Sequence, residues 1–126
     1  MANTFKAYTK SSVGTTSATA YEVELGGAST KTAIIIGIAL SNIASTPINV
    51  DVQIDRPAAG TTAAPSDDVY LAKNIPIPSG STLEVMAGQK LILEYNATAT
   101  AGDKIVVTSD TASSLDVIVN ALEITS

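Results

Sequence analysis

The sequence predicts an all-β protein, an antiparallel β-sandwich of jelly-roll or immunoglobulin-like type with about eight strands. Thr, Ser, Ala, Val and Ile dominate the 126-residue chain, whereas helix-forming Glu, Lys, Gln and Leu are sparse. Short apolar segments recur between turns that are rich in Gly, Pro and Ser. Several of these segments alternate apolar and polar residues with a period of two, which indicates strands with one buried face.

The most apolar segment, "KTAIIIGIAL" at residues 31–40, predicts a central strand. It is shorter than the roughly 20 residues that a membrane span needs, and consecutive β-branched residues disfavour a helix. In an extended chain, Ile34, Ile36, Ile38 and Leu40 would point to one side, and Ala33, Ile35, Gly37 and Ala39 to the other. Both sides are apolar, so we expect this strand to be covered on both faces.

The segment "INVDVQID", residues 48–55, alternates strictly and predicts a strand with one dry and one wet face. Pro76 and Pro78 indicate that the segment around them is either a strand at a sheet edge or an irregular crossing. In the last strand, Leu115, Val117, Val119 and Ala121 share one face, and Ile118, Leu122 and Ile124 share the other. The remaining predicted strands lie at residues 21–25, 68–73, 82–85, 90–94, 103–109 and 113–124.

We divide the chain into an amino-terminal arm or edge segment, residues 1–15, and a single β-sandwich domain, residues 16–126. The first twenty residues carry Lys6 and Lys10 and no acidic residue, whereas the whole chain has a net charge of −5. Phe5 and Tyr8 supply apolar anchors. Two interpretations stay open: a polar lead-in with one edge strand, or an arm that docks on an acidic or apolar partner surface.

The composition argues against most catalytic and metal-binding classes. The chain contains no histidine and no cysteine, which excludes His-dependent nucleophilic triads, thiolate chemistry and the usual zinc ligands. The acidic balance argues against nucleic-acid binding, and no segment is long enough to cross a membrane. Asp51, Asp55, Asp67 and Asp68 form the main acidic cluster, but their spacing does not match a calcium loop. We therefore predict no catalytic residue, no metal site and no cofactor, and expect a protein that is not an enzyme.

Residues 56–66, "RPAAGTTAAPS", predict a long exposed loop, and long loops often carry binding residues. Tyr70 follows closely and is expected to pack rather than to bind a ligand. The candidate partner-contact residues are Phe5, Lys6, Tyr8 and Lys10 in the amino-terminal segment, and Arg56, Asp67 and Asp68 around the loop.

Five stretches together resemble small virion structural proteins of tailed bacteriophages, especially marine and cyanobacterial phages. They are "MANTFKAYTKSSVGTTSATAYEV", "AIIIGIALSNIASTPINVDVQI", "DVYLAKNIPIPSGSTLEVMAGQKLILE", "AGDKIVVTS" and "SSLDVIVNALEI". The resemblance covers nearly the full chain and implies a non-enzymatic β-sandwich of the particle. Capsid decoration (cement) proteins, often trimeric, are one such class, and tail, neck and fibre components are another. It has no motif from which site residues could be transferred.

The predicted function is that of a capsid decoration protein that stabilises the phage head through subunit contacts. Its expected partners are the major capsid protein or other virion subunits and further copies of itself, with a trimer favoured. The alternative is a tail, neck or fibre component that binds host glycan through residues 56–66 and the adjacent acids. In both cases we expect synthesis in the host cytoplasm and a final location in the virion, with no nucleic-acid or membrane partner.

Overall fold

The computed structural model describes residues 2–23, 31–56, 68–85, 90–96 and 101–125, and these residues form strands and no helix. Accordingly, no described segment is a helix that could cross a membrane. The strands are β1 (Ala2–Val13), β2 (Ala18–Glu22), β3 (Lys31–Asn42), β4 (Ile48–Asp55), β5 (Val69–Ile77), β6 (Thr82–Glu84), β7 (Leu91–Asn96), β8 (Ala101–Gly102), β9 (Lys104–Ser109) and β10 (Leu115–Thr125).

The strands form two antiparallel sheets. Sheet A has the order β1-β10-β3-β7-β8, with β6 also paired to β3, and sheet B has the order β2-β9-β4-β5. The pairs are nested in the sequence: β1 with β10, β2 with β9, β3 with β6 and β7, and β4 with β5. A long antiparallel ribbon that is folded back on itself and wrapped into two layers has this order, which is that of a jelly roll. The predicted all-β sandwich is confirmed. The immunoglobulin-like alternative is not confirmed. The first two strands of that fold share a sheet, whereas β1 and β2 lie in different sheets here.

The core lies between the two sheets and consists mainly of β-branched residues. Strand β4 has the predicted bounds, and its apolar side chains are all buried while Asn49 is exposed. In β10, Leu115, Val117, Val119 and Ala121 share one face, as predicted, and the structure shows that this face is the buried one. The largest fully buried side chains are Val23, Ile35, Ile38, Leu40, Ile48, Val50, Val52, Ile77, Leu93, Ile105, Val107 and Leu115.

Strand β3 departs from the predicted alternation at Ile36. Opposite β10, Gly37 pairs with Asn120 and Ile35 with Ala121, so that Ile36 is the extra residue of a β-bulge. The bulge shifts the side-chain alternation by one position. The core therefore receives Ala33 and Ile35 before the bulge and Ile38 and Leu40 after it. The predicted grouping of Ile34, Ile36, Ile38 and Leu40 on one face is wrong for this reason.

The prediction that β3 is covered on both faces is also wrong for the single chain. The strand is central in sheet A, as predicted, but only its inner face packs against sheet B. On the outer face Ile36 is 45% exposed, and Ile34 and Ala39 are half-buried. Two layers leave the outer side of each sheet without a covering layer from the described chain.

The amino-terminal segment forms the edge of sheet A. Strand β1 pairs with β10 from Ala2 to Lys10, and the register shifts before Val13. Ser12 lies in this irregular stretch with a φ of 55°, and its amide donates to the Asp116 carboxylate at 2.9 Å. At the opposite side of the sandwich, β5 carries Pro76 at the edge of sheet B, as predicted.

Asp103 connects the two sheets where β8 leads into β9. Its carboxylate accepts from the backbone amide of Glu94 at 3.0 Å and lies 3.4 Å from Nε of Arg56. Its backbone also bonds to Glu94 and to the amide of Val23. The preceding Gly102 is buried, and a Cβ there would collide with the Val23 carbonyl oxygen. This junction therefore requires glycine.

Candidate contact surface

A row of apolar side chains crosses the outer face of sheet A. Phe5 on β1 pairs with Leu122 on β10, which pairs with Ile34 on β3, which in turn pairs with Ile92 on β7. Residues that are opposite one another in antiparallel strands have neighbouring side chains on the same face. Phe5 and Ile92 at the two ends are 74% and 59% exposed, and the two central residues are half-buried. We call these four residues the apolar row.

Further apolar side chains widen this surface along the strands. Ile36 lies on the same outer face as Ile34, while the bulge turns the following Ile38 into the core, and Ile118 is 44% exposed. Ile124 is half-buried beside the row.

Three charged residues share this side, namely Glu84 on β6, Glu94 on β7 and Asp116 on β10. Glu84 reaches the middle of β3, where its carboxylate accepts from the Ile38 amide at 3.0 Å and lies over Gly37. Exposed apolar side chains interspersed with polar groups are common in protein–protein interfaces.

An open groove of about 330 Å³ lies beside the projecting ring of Phe5. It separates β1 from the bulge of β3. Its lining is largely apolar, with one amide and one amine, and consists of Phe5, Lys6, Ala7, Ile36, Asn120 and Ala121.

Lys6 and Tyr8 are held by Glu123, a carboxylate that is only 4% exposed. Nζ of Lys6 lies 3.5 Å from this carboxylate, and the Tyr8 hydroxyl donates to it at 2.9 Å. The hydroxyl of buried Tyr21, on sheet B, donates to the same oxygen at 2.7 Å, and the two tyrosine rings meet edge to face at 4.8 Å. Tyr8 therefore contributes to the junction between the sheets, and it is not presented outward with Phe5.

The other candidate residues are more dispersed. Lys10 is exposed and lines a surface depression with Ser12, Ala112 and Ser113, away from the groove beside Phe5. Arg56 and Asp68 are brought together, because the Arg56 amide donates to the Asp68 carboxylate at 2.9 Å. Asp67 and most of the predicted loop lie outside the described residues.

Asp55, at the end of β4, shares a hydrogen bond with Asp68. This hydrogen bond raises the pKa of the Asp55 carboxyl group, desolvation and the charge of Asp68 raise it further, and Lys104 opposes the rise. Asp51 lies apart from this pair. It accepts from the Asn74 amide at 2.8 Å and from Lys73 at 3.4 Å.

Tyr70, which was expected to pack rather than to bind a ligand, is 50% exposed on β5 and packs against a lysine instead of in the core. Nζ of Lys73 lies 4.3 Å from the centre of its ring. The contact with Tyr70, followed by that with Asp51, raises the pKa of the Lys73 amine above its ordinary value. One face of the only strongly exposed tyrosine on the described strands is therefore already occupied by an amine.

The polar groups in the described ranges satisfy one another. None of their buried side-chain nitrogen or oxygen atoms lacks a hydrogen-bond partner. No set of three or more potential acidic ligands in these ranges has the geometry to hold a metal ion. Asn42, for example, donates from one amide to the backbone oxygens of Thr46 and Ile77, and accepts from Ala44. These side chains stabilise the fold.

Phe5 was a candidate contact residue from the sequence, whereas the isoleucines that lie beside it on this surface were not. A signal was present in β10, where Ile118, Leu122 and Ile124 face away from the core residues. Apolar residues on both faces of a strand indicate either a second covering layer or a contact with another protein. In β3, the bulge places Ile36 and Ile38 on opposite faces, and no residue pattern announces it.

No family model and no curated protein matches the chain. Among solved structures, the chain is similar to a protein in the crystal structure of the T13 IBDV viral particle, described as a missing link in the evolution of icosahedral viruses. The TM-score is 0.53 and the sequence identity 10%; the match covers 98% of this chain and 31% of that chain. At this identity the likeness establishes a shared fold. The present chain spans about a third of the length of that protein.

Proposed function

We propose that the protein is a structural component of a virion, and specifically a decoration (cement) protein that stabilises the shell of a phage head. The observation that carries the proposal is the apolar row and its neighbouring isoleucines on the outer face of sheet A. A contiguous exposed apolar surface is costly in water and is characteristic of protein contacts.

The mechanism is the burial of this surface against a shell subunit. A protein that binds the assembled shell and not the free subunits shifts the equilibrium towards assembly by mass action. The rigid jelly roll suits this role, because a preformed flat sheet loses little conformational entropy when it docks. The expected partners are the major capsid protein or other virion subunits.

Two further considerations support the proposal. The fold is similar to that of a protein of the IBDV particle, and the sequence resembles small virion proteins of tailed phages. In addition, Asp103 and Glu123, the buried carboxylates of the described chain, are engaged in contacts between strands. We therefore propose a protein that is not an enzyme and needs no cofactor.

The copy number in purified particles of the phage that encodes the chain tests this function. Quantitative mass spectrometry, with the major capsid protein as internal standard, should find hundreds of copies per particle. A dozen copies or fewer would favour a tail or neck component instead. Absence from purified particles would refute a virion role.

A groove variant separates attachment from folding. The groove variant combines Phe5→Thr with Ile36→Thr and so reduces the exposed apolar surface. It should bind more weakly than the unmodified protein to shells that lack the protein, and its melting temperature should be unchanged. Val69→Thr with Leu71→Thr is the matched control, because both residues are exposed apolar side chains of β5 on the other sheet. Equal weakening by both double variants would contradict attachment through sheet A.

A further inference from the structure

We infer that residues 3–9 of β1 accept an extended segment of a neighbouring virion subunit as an additional antiparallel strand of sheet A. The inference rests on the proposed function for the identity of the partner. It deepens that function by assigning a second contact, which is made through the main chain at the edge of the sheet. This edge is distinct from the outer face, because main-chain groups point along a sheet whereas side chains point away from it.

The hydrogen bonds of β3 indicate which main-chain groups of β1 face outward. The Ile38 amide donates to the Glu84 carboxylate, and the Ile38 carbonyl accepts from the Val85 amide, so this residue bonds away from β10. Along a strand of an antiparallel sheet, the direction of bonding alternates from one residue to the next. The neighbouring Ala39 therefore bonds towards β10, where its partner is Ile118.

The same alternation continues across β10 to β1. Because Ile118 bonds towards β3, the next residue, Val119, bonds towards β1, where its partner is Tyr8. Every second residue of β1 counted from Tyr8 also bonds to β10, and the residues between them face the other way. The residues whose amides and carbonyls point out of the sheet are Asn3, Phe5, Ala7 and Thr9. We call these four residues the open edge.

The open edge is regular and exposed. From Ala2 to Lys10, β1 pairs with β10 without a register shift, and all four side chains of the open edge are exposed. No hydrogen bond between described residues engages their outward amides or carbonyls. An added antiparallel strand bonds to groups of this kind. The open edge ends near Ser12, whose amide is occupied by the Asp116 carboxylate.

The other edges of the two sheets are short or interrupted, which are common ways of preventing strand addition. Strands β6 and β8 have three and two residues, and β2 has five residues with a register shift. Strand β5 is longer, but it contains Pro76 and two register shifts. Asn74 on β5 has a φ of 53°, and its amide is occupied by Asp51. Among the described strands, β1 alone combines a long edge with a regular one.

Charge selects the partner of the open edge. The first twenty residues carry Lys6 and Lys10 and no acidic residue. Lys6 is bound by Glu123, whereas Lys10 is exposed and forms no ion pair with a described carboxylate. Lysines of two β1 strands would repel each other across a shared edge, which disfavours a second copy of this chain. The segment that fits has an acidic residue opposite Lys10 and an apolar residue opposite Phe5.

Amide hydrogen exchange of the isotope-labelled full chain, followed by NMR spectroscopy, tests the inference. In the free protein the amides of Phe5, Ala7 and Thr9 should exchange quickly and that of Tyr8 slowly. The first probe is a synthetic nine-residue peptide that alternates Val and Thr and carries Glu at the position opposite Lys10. At saturation it should slow exchange at the open edge at least tenfold. A matched peptide with Lys in place of Glu should bind at least threefold more weakly.

Shells that lack the protein are the second probe. The labelled protein is allowed to exchange while it is docked on the shells, and it is then released for NMR spectroscopy. The amides of the open edge should again be protected at least tenfold, whereas the protection of Tyr8 should change little because its amide is already bonded to β10.

Two variants test the main chain and the charge separately. Thr9→Pro removes one outward amide and should weaken binding of the Glu peptide at least tenfold, whereas Thr9→Val keeps the amide and should bind as the wild type does. Lys10→Glu should reverse the preference between the Glu and Lys peptides. This reversal does not depend on whether proline is tolerated in β1, and circular dichroism establishes that each variant is folded.

The outcomes separate this inference from the proposed function. Protein that saturates shells while its open-edge amides still exchange quickly would overturn the inference and leave the proposed function intact. Equal binding by Thr9→Pro and Thr9→Val, or no response to either probe, would also overturn the inference. So would open-edge protection that rises with protein concentration alone, since a second copy would then be the occupant. Protection by the peptide without any binding to shells would support strand addition and refute the virion setting.

Discussion

Single alanine substitutions at Ile36 and Ile38 should differ sharply in cost, because the bulge places the two side chains on opposite faces of β3. The two residues are two positions apart, and in a regular strand such residues point to the same face and have the same environment. In the structure Ile38 is fully buried, whereas Ile36 is 45% exposed.

The expected magnitudes follow from this burial. Ile38→Ala removes core atoms from between the sheets and should lower the free energy of unfolding by about 2–5 kcal/mol. Ile36→Ala removes a side chain that is only about half-buried and leaves no enclosed cavity, so its cost should be about 1 kcal/mol or less. For a domain of this size each kcal/mol corresponds to a change of roughly 3–6 °C in melting temperature.

Urea unfolding followed by far-ultraviolet circular dichroism measures both variants. The protein should be dilute enough to be monomeric, and the dependence of the free energy on urea should be the same for each variant. Ile35→Ala serves as the companion variant. Ile35 is also fully buried, although a regular strand would place it opposite Ile38, so it should cost as much as Ile38→Ala.

Equal costs for Ile36→Ala and Ile38→Ala, with a small cost for Ile35→Ala, would refute the bulge. That result would restore a regularly alternating β3. It would also remove Ile36 from the outer face and with it one wall of the groove beside Phe5.

The remaining predictions concern polar groups and one glycine. Tyr21→Phe should lower the free energy of unfolding by about 1.5–3 kcal/mol, since it removes a 2.7 Å hydrogen bond from the buried Glu123 carboxylate. Tyr8→Phe should lower it by less, because water can replace part of the hydrogen bond that is lost there. Gly102→Ala should destabilise by about 2 kcal/mol or more, because its methyl group would meet a backbone oxygen. The raised pKa of Asp55 means that the folded state binds this proton more tightly than the unfolded state, so stability should fall as the pH rises through the window above 3.8. Asp68→Asn removes the like charge and should flatten that pH dependence.

Controls for these variants come from the same chain. Lys10→Gln, on the exposed part of β1 in the other sheet, changes one charge away from the Asp55–Asp68 pair and from Lys104, and should leave the acid-range slope unchanged. Thermal melts between acidic and neutral pH measure this slope. A larger loss of stability in Tyr8→Phe than in Tyr21→Phe would contradict the assigned hydrogen bonds to Glu123. A Gly102→Ala variant with the melting temperature of the wild type would contradict the close approach of Gly102 to the Val23 carbonyl oxygen.

Residue patterns predicted a large part of the fold because strand alternation is a local property. Strand β4 has its predicted bounds, and the residues of β10 are divided between its two faces as predicted. The proline-containing strand β5 lies at an edge because proline lacks the amide that an interior strand must donate. Phe5 was a candidate contact residue, and it is the most exposed large apolar side chain of the described chain.

Other features depended on groups that are distant in the sequence. Lys6 and Tyr8 were candidate partner contacts, yet both are bound by Glu123, which is more than a hundred residues away. Tyr70 was expected to pack, and the group against which its half-exposed ring packs is Lys73 on the same edge strand β5. No local pattern records which carboxylate will face a given lysine or hydroxyl.

By itself the sequence determined that this protein is built from short antiparallel strands with apolar faces, because β-branched alternation and turn residues act within a few positions. Only the tertiary structure decided the jelly-roll order, the bulge at Ile36 and the choice of which apolar face of β3 and β10 enters the core. The physical reason is that sheet B can cover one side of sheet A and no more. The apolar face left outside by that packing is the surface with which the protein is expected to bind its partners.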